Sequence, residues 1–330
     1  MPLAQLVDAY GRTARKLRIS VTDRCNLRCL YCLPEEPAWL PRAEILSFEE
    51  IERVARVLVG LGVEKVRLTG GEPLVRTDVQ KLAARLALIP GLKGLTMTTN
   101  GLHLDEKARP LKEAGLTGLT VSLDALDPET YTRLVRRDAL SRVLKGLDSA
   151  LAAGFSPLKI NMVVMRGAND EAVAEFAQLA RSGPYIVRFI EFMPLDSGGT
   201  WTPERVVTAK EILERVNNVA AVEPVPDQDA HDPARRYRFR DGRGEVGIIA
   251  AVSEPFCAQC DRIRLTADGR FLNCLFGHVE YDVRSVLRGG GSDDDIAAVA
   301  RRAVGEKGPG HLINRPGFIQ PRRPMVAIGG

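Results

Sequence analysis

Arg24-Cys25-Asn26-Leu27-Arg28-Cys29-Leu30-Tyr31-Cys32 is the stretch from which the rest of the chain becomes readable. Three thiols spaced C-x3-C-x2-C follow directly on Leu17–Thr22, an apolar run of strand length. The chain has six cysteines, and the other three form a second triad, Cys257, Cys260 and Cys274, so none is left over. Odd triads cannot close internally as disulfides, and a reducing compartment disfavours bridges between them, which leaves metal ligation. Structural zinc takes four closed ligands, whereas no histidine precedes His103 to complete a site around the first triad. A cubane [4Fe-4S] cluster fits better, because thiolates are its usual ligands and the fourth iron then stays open to an outside ligand. The second triad reads the same way, although His278, four residues beyond Cys274, keeps a Cys3His zinc site open there.

Working outward, further strand-length apolar runs recur at Lys65–Thr69, Leu95–Thr99, Leu119–Ser122, Lys159–Val164 and Ile186–Glu191, with helical patterns between them. Ser47 with Glu50 three residues on predicts a capped helix start, with Ile51, Val54, Ala55 and Leu58 on the buried face, and Pro128-Glu129 opens another helix. Six βα units predict an α/β fold, an incomplete (βα)6 barrel of TIM type, with functional residues at the C-terminal strand ends. A Gly-, Ser-, Pro- and Asp-rich stretch near Asp196–Thr202 divides the chain into a barrel, residues 1–195, and a C-terminal region, residues 196–330, that carries the second triad. Gly289–Gly317 offers no motif, and the acidic run Asp293–Asp295 reads as a solvated connection.

A length of 330 residues at 45% hydrophobic content is enough for a barrel and an appendage, and a net charge of +4 is too weak to argue for a nucleic-acid polymer. No run approaches the roughly 20 apolar residues that span a bilayer, and the start lacks a basic-then-apolar leader pattern, so no membrane partner and a cytoplasmic location are expected. Charge matters locally instead. Arg262 and Arg264 alternate on an extended segment and so face one side, a good grip for phosphate or carboxylate. Arg18 and Arg67 sit inside expected strands and Lys159 begins one, where an unpaired interior charge would be costly without an anion. Arg235-Arg236 and Arg240 read as solvated loop charges. Gly70-Gly71-Glu72-Pro73 follows a strand, and paired glycines there let backbone approach a ligand closely.

The nonapeptide, with its aromatic before the last cysteine, resembles the signature of the radical S-adenosylmethionine (SAM) superfamily, in which SAM chelates the open iron and is split to a 5′-deoxyadenosyl radical. That resemblance implies cofactor contacts at Tyr31, Gly71, Ser122 and Met193. With Gly11-Arg12, Arg67-Leu68-Thr69-Gly70-Gly71-Glu72-Pro73-Leu74, Thr98-Thr99-Asn100-Gly101, Val121-Ser122-Leu123-Asp124, Arg188-Phe189-Ile190-Glu191-Phe192-Met193, the second triad and Gly329-Gly330, the chain resembles the GTP 3′,8-cyclase family of molybdenum-cofactor biosynthesis nearly end to end. The family reaction abstracts the ribose C3′ hydrogen of GTP and joins C3′ to guanine C8. The resemblance implies two [4Fe-4S] clusters at Cys25/Cys29/Cys32 and Cys257/Cys260/Cys274, with the guanine anchored at the second. It implies triphosphate or substrate contacts at Arg18, Lys65, Arg67, Thr98, Lys159, Arg262 and Arg264, and a di-glycine tail, Gly329-Gly330, that reaches the active site and positions an arginine such as Arg18. It also implies a homodimer, cyclic pyranopterin monophosphate synthase as pathway successor, and a reductant protein that the sequence does not identify. A radical SAM enzyme that modifies peptides with one auxiliary cluster, and a non-catalytic zinc or iron module, stay in competition.

Overall fold

The structure is a computed structural model and describes residues 5–196 and 199–329. Six parallel strands alternate with helices: β1 (Lys16–Ser20), α1 (Phe48–Gly60), β2 (Lys65–Thr69), α2 (Val79–Ala87), β3 (Gly94–Thr99), α3 (Leu104–Glu113), β4 (Gly118–Ser122), α4 (Pro128–Val135), α5 (Leu140–Ala152), β5 (Leu158–Val164), α6 (Val173–Ser182) and β6 (Tyr185–Glu191). Each expected strand forms to within a residue or two. Ser47 caps α1 reciprocally with Glu50, and Ile51, Val54, Ala55 and Leu58 are fully buried. Helices lie between successive strands because parallel neighbours need a crossover, and the crossover helix buries its apolar stripe on the sheet.

The rest of the chain adds α7 (Ala209–Val219), β7 (Val222–Pro224), β8 (Arg235–Phe239), β9 (Glu245–Ile249), β10 (Arg262–Leu265), β11 (Arg270–Leu272), β12 (Tyr281–Asp282), α8 (Arg284–Arg288), α9 (Asp293–Gly305) and α10 (Met325–Ile328). Its strands extend the same sheet at both edges, in the order β12-β11-β10-β1-β2-β3-β4-β5-β6-β9-β8-β7. β10 pairs parallel to β1, and β9 pairs parallel to β6. The sheet therefore curls as a barrel that does not close, and residues 250–261 cross from the end of β9 to the start of β10.

Two expectations change here. Asp293–Asp295 is no connection but the first turn of α9, capped by Ser292, whose hydroxyl accepts from Asp295 N–H while its own N–H donates to that carboxylate at 2.8 Å. Three carboxylates there complement the positive end of the helix dipole. Arg235 and Arg236 are not loop charges but open β8, where Arg236 makes a two-pronged ion pair with Glu245 at 2.5 and 2.6 Å. The antiparallel pairing of β8 with β9 brings these side chains together. Arg240 stays exposed just past β8.

Strand periodicity then decides what faces inward. Leu17, Ile19, Val66, Leu68, Leu95, Met97, Ile160, Met162, Val187, Phe189, Ile263 and Leu265 point outward into the helix-covered core and are almost fully buried. Their alternating neighbours, Arg18, Arg67, Thr98, Thr120, Lys159, Asn161, Arg188, Arg262 and Arg264, therefore face the barrel interior.

Candidate active site

The first triad lies on the loop after the C-terminal end of β1, and Cys29 carbonyl accepts from the N–H groups of Cys32 and Leu33 at 3.0 Å, curling the loop around the thiols. Leu27 N–H points at Cys25 Sγ from 3.4 Å. The turn Gly70-Gly71-Glu72 braces this loop. Gly71 N–H donates to Thr22 carbonyl at 2.7 Å, and Glu72 N–H donates to Arg24 carbonyl at 2.8 Å. A Cβ on Gly71 would stand 2.4 Å from Arg24 carbonyl and 2.5 Å from that of Asp23, so only glycine lets the two backbones cross. Glu72 itself is structural: buried, it accepts from Leu74 N–H at 2.9 Å, Thr99 hydroxyl at 2.7 Å and Asn100 N–H at 2.6 Å.

Electrostatics at this end is acidic. Burial, reinforced by Glu72, pushes the Cys25 thiol up to about 11, and burial lifts Cys32 to about 12. Burial also raises Glu72 to about 7 and Asp124 to about 6. Tyr31 hydroxyl donates to Asp124 at 2.6 Å, fixing the aromatic ring of the cysteine loop to the end of β4. Buried thiols under such pressure need a cation to ionise, which an iron cluster supplies.

At the other end the balance reverses. Register places Arg264, Arg18 and Arg67 side by side on β10, β1 and β2. Like charges directly opposite on neighbouring strands repel. Burial lowers Arg18 well below its usual value, helped by Arg264, Arg67, Arg262 and Arg188, and brings Arg67 to about 9 and Arg264 to about 10. Their hydrogen bonds go to neutral partners: Arg67 to Thr98 at 3.1 Å and Thr120 at 3.2 Å, Arg188 to Asn161 and Thr120 at 3.0 Å. Arg262 stacks over the Phe256 ring at 4.8 Å. Among the described residues none of these five guanidiniums meets a carboxylate within ion-pair distance, so the row is poised for a polyanion.

The second triad belongs to this end. Cys257 and Cys260 precede β10, and Cys274 follows β11, whose Leu272 pairs with Arg264, so Cys274 lies level with Arg262 at the N-terminal end of the strands. β1 separates the levels of the two triads by five residues, about 17 Å along a strand. At Cys260 burial works to raise the thiol, yet Arg262 and Lys307 bring it down to about 6. His278 is exposed, and among the described residues no three His, Cys, Asp or Glu side chains could hold a single metal ion. A cubane makes no such demand, since each thiolate binds a different iron at its own corner of the cube.

One cavity of about 1310 Å³, counted to its open mouth, runs from the first triad to the inward arginines; Phe256 and Leu275, next to Cys257 and Cys274, line it, but the cysteines of the second triad do not. Its wall includes Cys25, Cys29, Cys32, Tyr31, Gly71, Ser122 and Met193, together with Arg18, Thr98, Arg262 and Arg264. Arg67 and Lys159 line a second cavity at the opposite mouth of the barrel, and Arg188 lines both. Lys65 shares Arg67's strand face but is exposed at the start of β2 and lines neither. Gly329 carbonyl accepts from Arg264 at 2.6 Å, so the tail meets that arginine, while Gly330 lies outside the described residues. Sequence reasoning assigned no role to Arg188, Asn161 or Asp124, although a charged or amide side chain inside an apolar strand was the available signal for the first two.

Comparison with known proteins agrees with this geometry. Residues 19–180 match the family model described as the Radical SAM superfamily, and residues 185–313 match the one described as Molybdenum Cofactor Synthesis C. The chain is 48% identical over 298 residues to the GTP 3′,8-cyclase of Acidothermus cellulolyticus, covering 88% of this chain and 82% of that protein. It is 45% identical to the GTP 3′,8-cyclase of Rhodopirellula baltica, over 100% of this chain and 93% of the relative. Its fold resembles the crystal structure of Streptococcus suis SuiB, with a TM-score of 0.65 at 14% identity, over 95% of this chain and 78% of SuiB. A barrel that does not close, a cysteine loop on its first strand and relatives matched over most of their length place the chain in the GTP 3′,8-cyclase family of the radical SAM superfamily.

Proposed function

We propose that this chain cyclises GTP to (8S)-3′,8-cyclo-7,8-dihydroguanosine 5′-triphosphate, the first step of molybdenum-cofactor biosynthesis. The observation that carries the reading is one cavity with a thiol triad at one end and four guanidiniums, Arg18, Arg188, Arg262 and Arg264, lining it toward the other. Cys25, Cys29 and Cys32 hold the first [4Fe-4S] cluster, and Cys257, Cys260 and Cys274 hold the second. When bound, the first cluster and SAM supply a hydrogen-abstracting radical. The protein's share is placement: Tyr31, Gly71, Ser122 and Met193 hold SAM, and Thr98 with the inward arginines grips the nucleotide.

Arg18, Arg67, Lys159, Arg262 and Arg264 take the triphosphate, joined by Arg188, whose side chain borders both cavities. Lys65 belongs to the same strand face and meets the polyphosphate only from the rim. The tail Gly329-Gly330 completes the site and positions an arginine such as Arg18, with Gly329 held on Arg264. Residues 1–195 serve radical generation, and residues 196–330 anchor the substrate. The enzyme works as a cytoplasmic homodimer fed by a separate reductant, and cyclic pyranopterin monophosphate synthase consumes its product. The relatives' shared name and the Molybdenum Cofactor Synthesis C match favour this reading over a peptide modifier.

The test is anaerobic. Reconstituted protein with GTP, SAM and a strong reductant should yield 5′-deoxyadenosine and the cyclised nucleotide together, read by mass spectrometry. 5′-Deoxyadenosine without a GTP-derived product would overturn the substrate, and neither product would overturn the chemistry.

A further inference from the structure

Residues 307–310, Lys-Gly-Pro-Gly, lie in the stretch where the sequence offers no motif, yet they pack directly on the second triad. Lys307 is 6% exposed, and its ammonium donates to Cys260 carbonyl at 3.1 Å, Arg262 carbonyl at 2.9 Å and Cys260 Sγ at 3.3 Å. Those three contacts use every donor an ammonium has. Among the described residues no carboxylate pairs with it.

The neighbouring residues fix that placement. Arg12, itself buried and held by Asp8 at 2.6 Å, donates to the carbonyls of Gly308 at 2.6 Å, Pro309 at 3.0 Å and Cys257 at 2.9 Å. One guanidinium thus staples the 307–310 segment to a cysteine of the triad. Gly310 closes the contact: a Cβ there would stand 2.8 Å from Cys257 Cβ and 3.1 Å from its Sγ. Lysine entering this segment arrives at Cys260 with its backbone already anchored.

A buried cation whose partners are two carbonyls and one sulfur is costly unless that sulfur carries negative charge. Three thiolates around an iron–sulfur cube carry such charge. We propose that Lys307 is a positioning residue of the second cluster: its ammonium, fixed by the carbonyls of Cys260 and Arg262, hydrogen-bonds the Cys260 thiolate and stabilises the reduced cluster. The inference rests on reading the second triad as a [4Fe-4S] site. Reduction adds negative charge, so a cation donating to a ligand sulfur favours the reduced state and raises the potential. Lys307 thereby sets how readily the substrate-anchoring cluster takes an electron relative to the radical-generating one.

The experiment is a potentiometric titration of the anaerobically reconstituted full chain, followed by electron paramagnetic resonance, on wild type, Lys307→Met and Lys307→Arg. Iron content is measured alongside. Lys307→Met should weaken the second cluster's preference for the reduced state about tenfold, about 59 mV to the negative for one electron. The first cluster's potential should not move, and Lys307→Arg should restore the second. An unchanged second-cluster potential in Lys307→Met, or an equal shift of both clusters, would overturn the role. Loss of the second cluster in Lys307→Met but not in Lys307→Arg would support it, and loss in both would overturn it as a charge effect. Wild type that loads only about four irons would instead remove the second cluster, and with it the ground for the proposal.

Discussion

The two triads share a ligand count and the pressure of burial, and differ in the charges around them. Cys25, Cys29 and Cys32 sit past the C-terminal end of β1 beside Glu72 and Asp124, and burial drives their thiols up. Cys257, Cys260 and Cys274 sit at the N-terminal end of β10 beside Arg262 and Lys307; burial raises Cys274 here too, but Cys260 comes down to about 6. Acidic surroundings suit a cationic ligand such as a sulfonium or ammonium, whereas guanidiniums suit a polyphosphate. Identical cysteine arithmetic is therefore set among opposite charges, and the neighbouring side chains supply the difference.

The comparison breaks most severely through the thiols. Cys25→Ala should halve the iron from about eight per chain to about four and abolish 5′-deoxyadenosine formation. Cys274→Ala should also halve the iron, yet leave SAM cleavage running without cyclised product. Equal loss of SAM cleavage in both variants would erase the division between the ends. Deleting Gly329 and Gly330 should keep both clusters and abolish cyclisation, because Arg264 loses the carbonyl it holds; undiminished product would refute that.

Arg264→Met tests the basic end alone. Removing a buried charge-assisted contact costs about 1.5–3 kcal/mol, so GTP binding should weaken roughly 10- to 150-fold while SAM binding stays put. Gly71→Ala is its counterpart at the acidic end: the crossing with Arg24 must open, so SAM binding should fall in equilibrium titration with GTP binding retained. A variant that lost both ligands equally would show a global effect instead.

The smallest effect is a pH dependence. Glu72 rises from 4.5 to about 7 and Asp124 from 3.8 to about 6, both through burial, so the folded chain free of SAM binds these protons more tightly than the unfolded one. That share of stability is fully present below the unfolded values and is lost as pH rises through about 6 and then about 7. The melting-temperature gap between wild type and Glu72→Gln should therefore shrink from pH 5 to 8. A gap that widens would mean that the acidic end does not titrate as its burial dictates.

Much of this was legible early. Period-two apolar runs gave the six central strands nearly to the residue, and Ser47 with Glu50 gave the start of α1, because local preference and tertiary burial agree there. Asp293–Asp295 misled because an acidic run looks solvated whether or not Ser292 caps a helix behind it. Arg235 and Arg236 misled because β8 is a short strand near the sheet edge, where charges alternate without an apolar rhythm. Arg188 was visible as a cation inside an apolar strand, but its bonds to Asn161 and Thr120 join three strands and leave no trace in any one of them.

By itself the sequence determined the chemistry on offer: two sets of three thiols, a glycine turn, inward-facing cations and six βα units. Short-range spacing carries that information, since ligand count, capping and strand period are properties of neighbouring residues. Only the tertiary structure decided that residues after 196 extend both edges of one sheet, that the triads stand at opposite strand ends, and that Lys307 reaches Cys260. Those facts depend on contacts between residues far apart in the chain, and such contacts exist only once the sheet has curled and brought its two ends together.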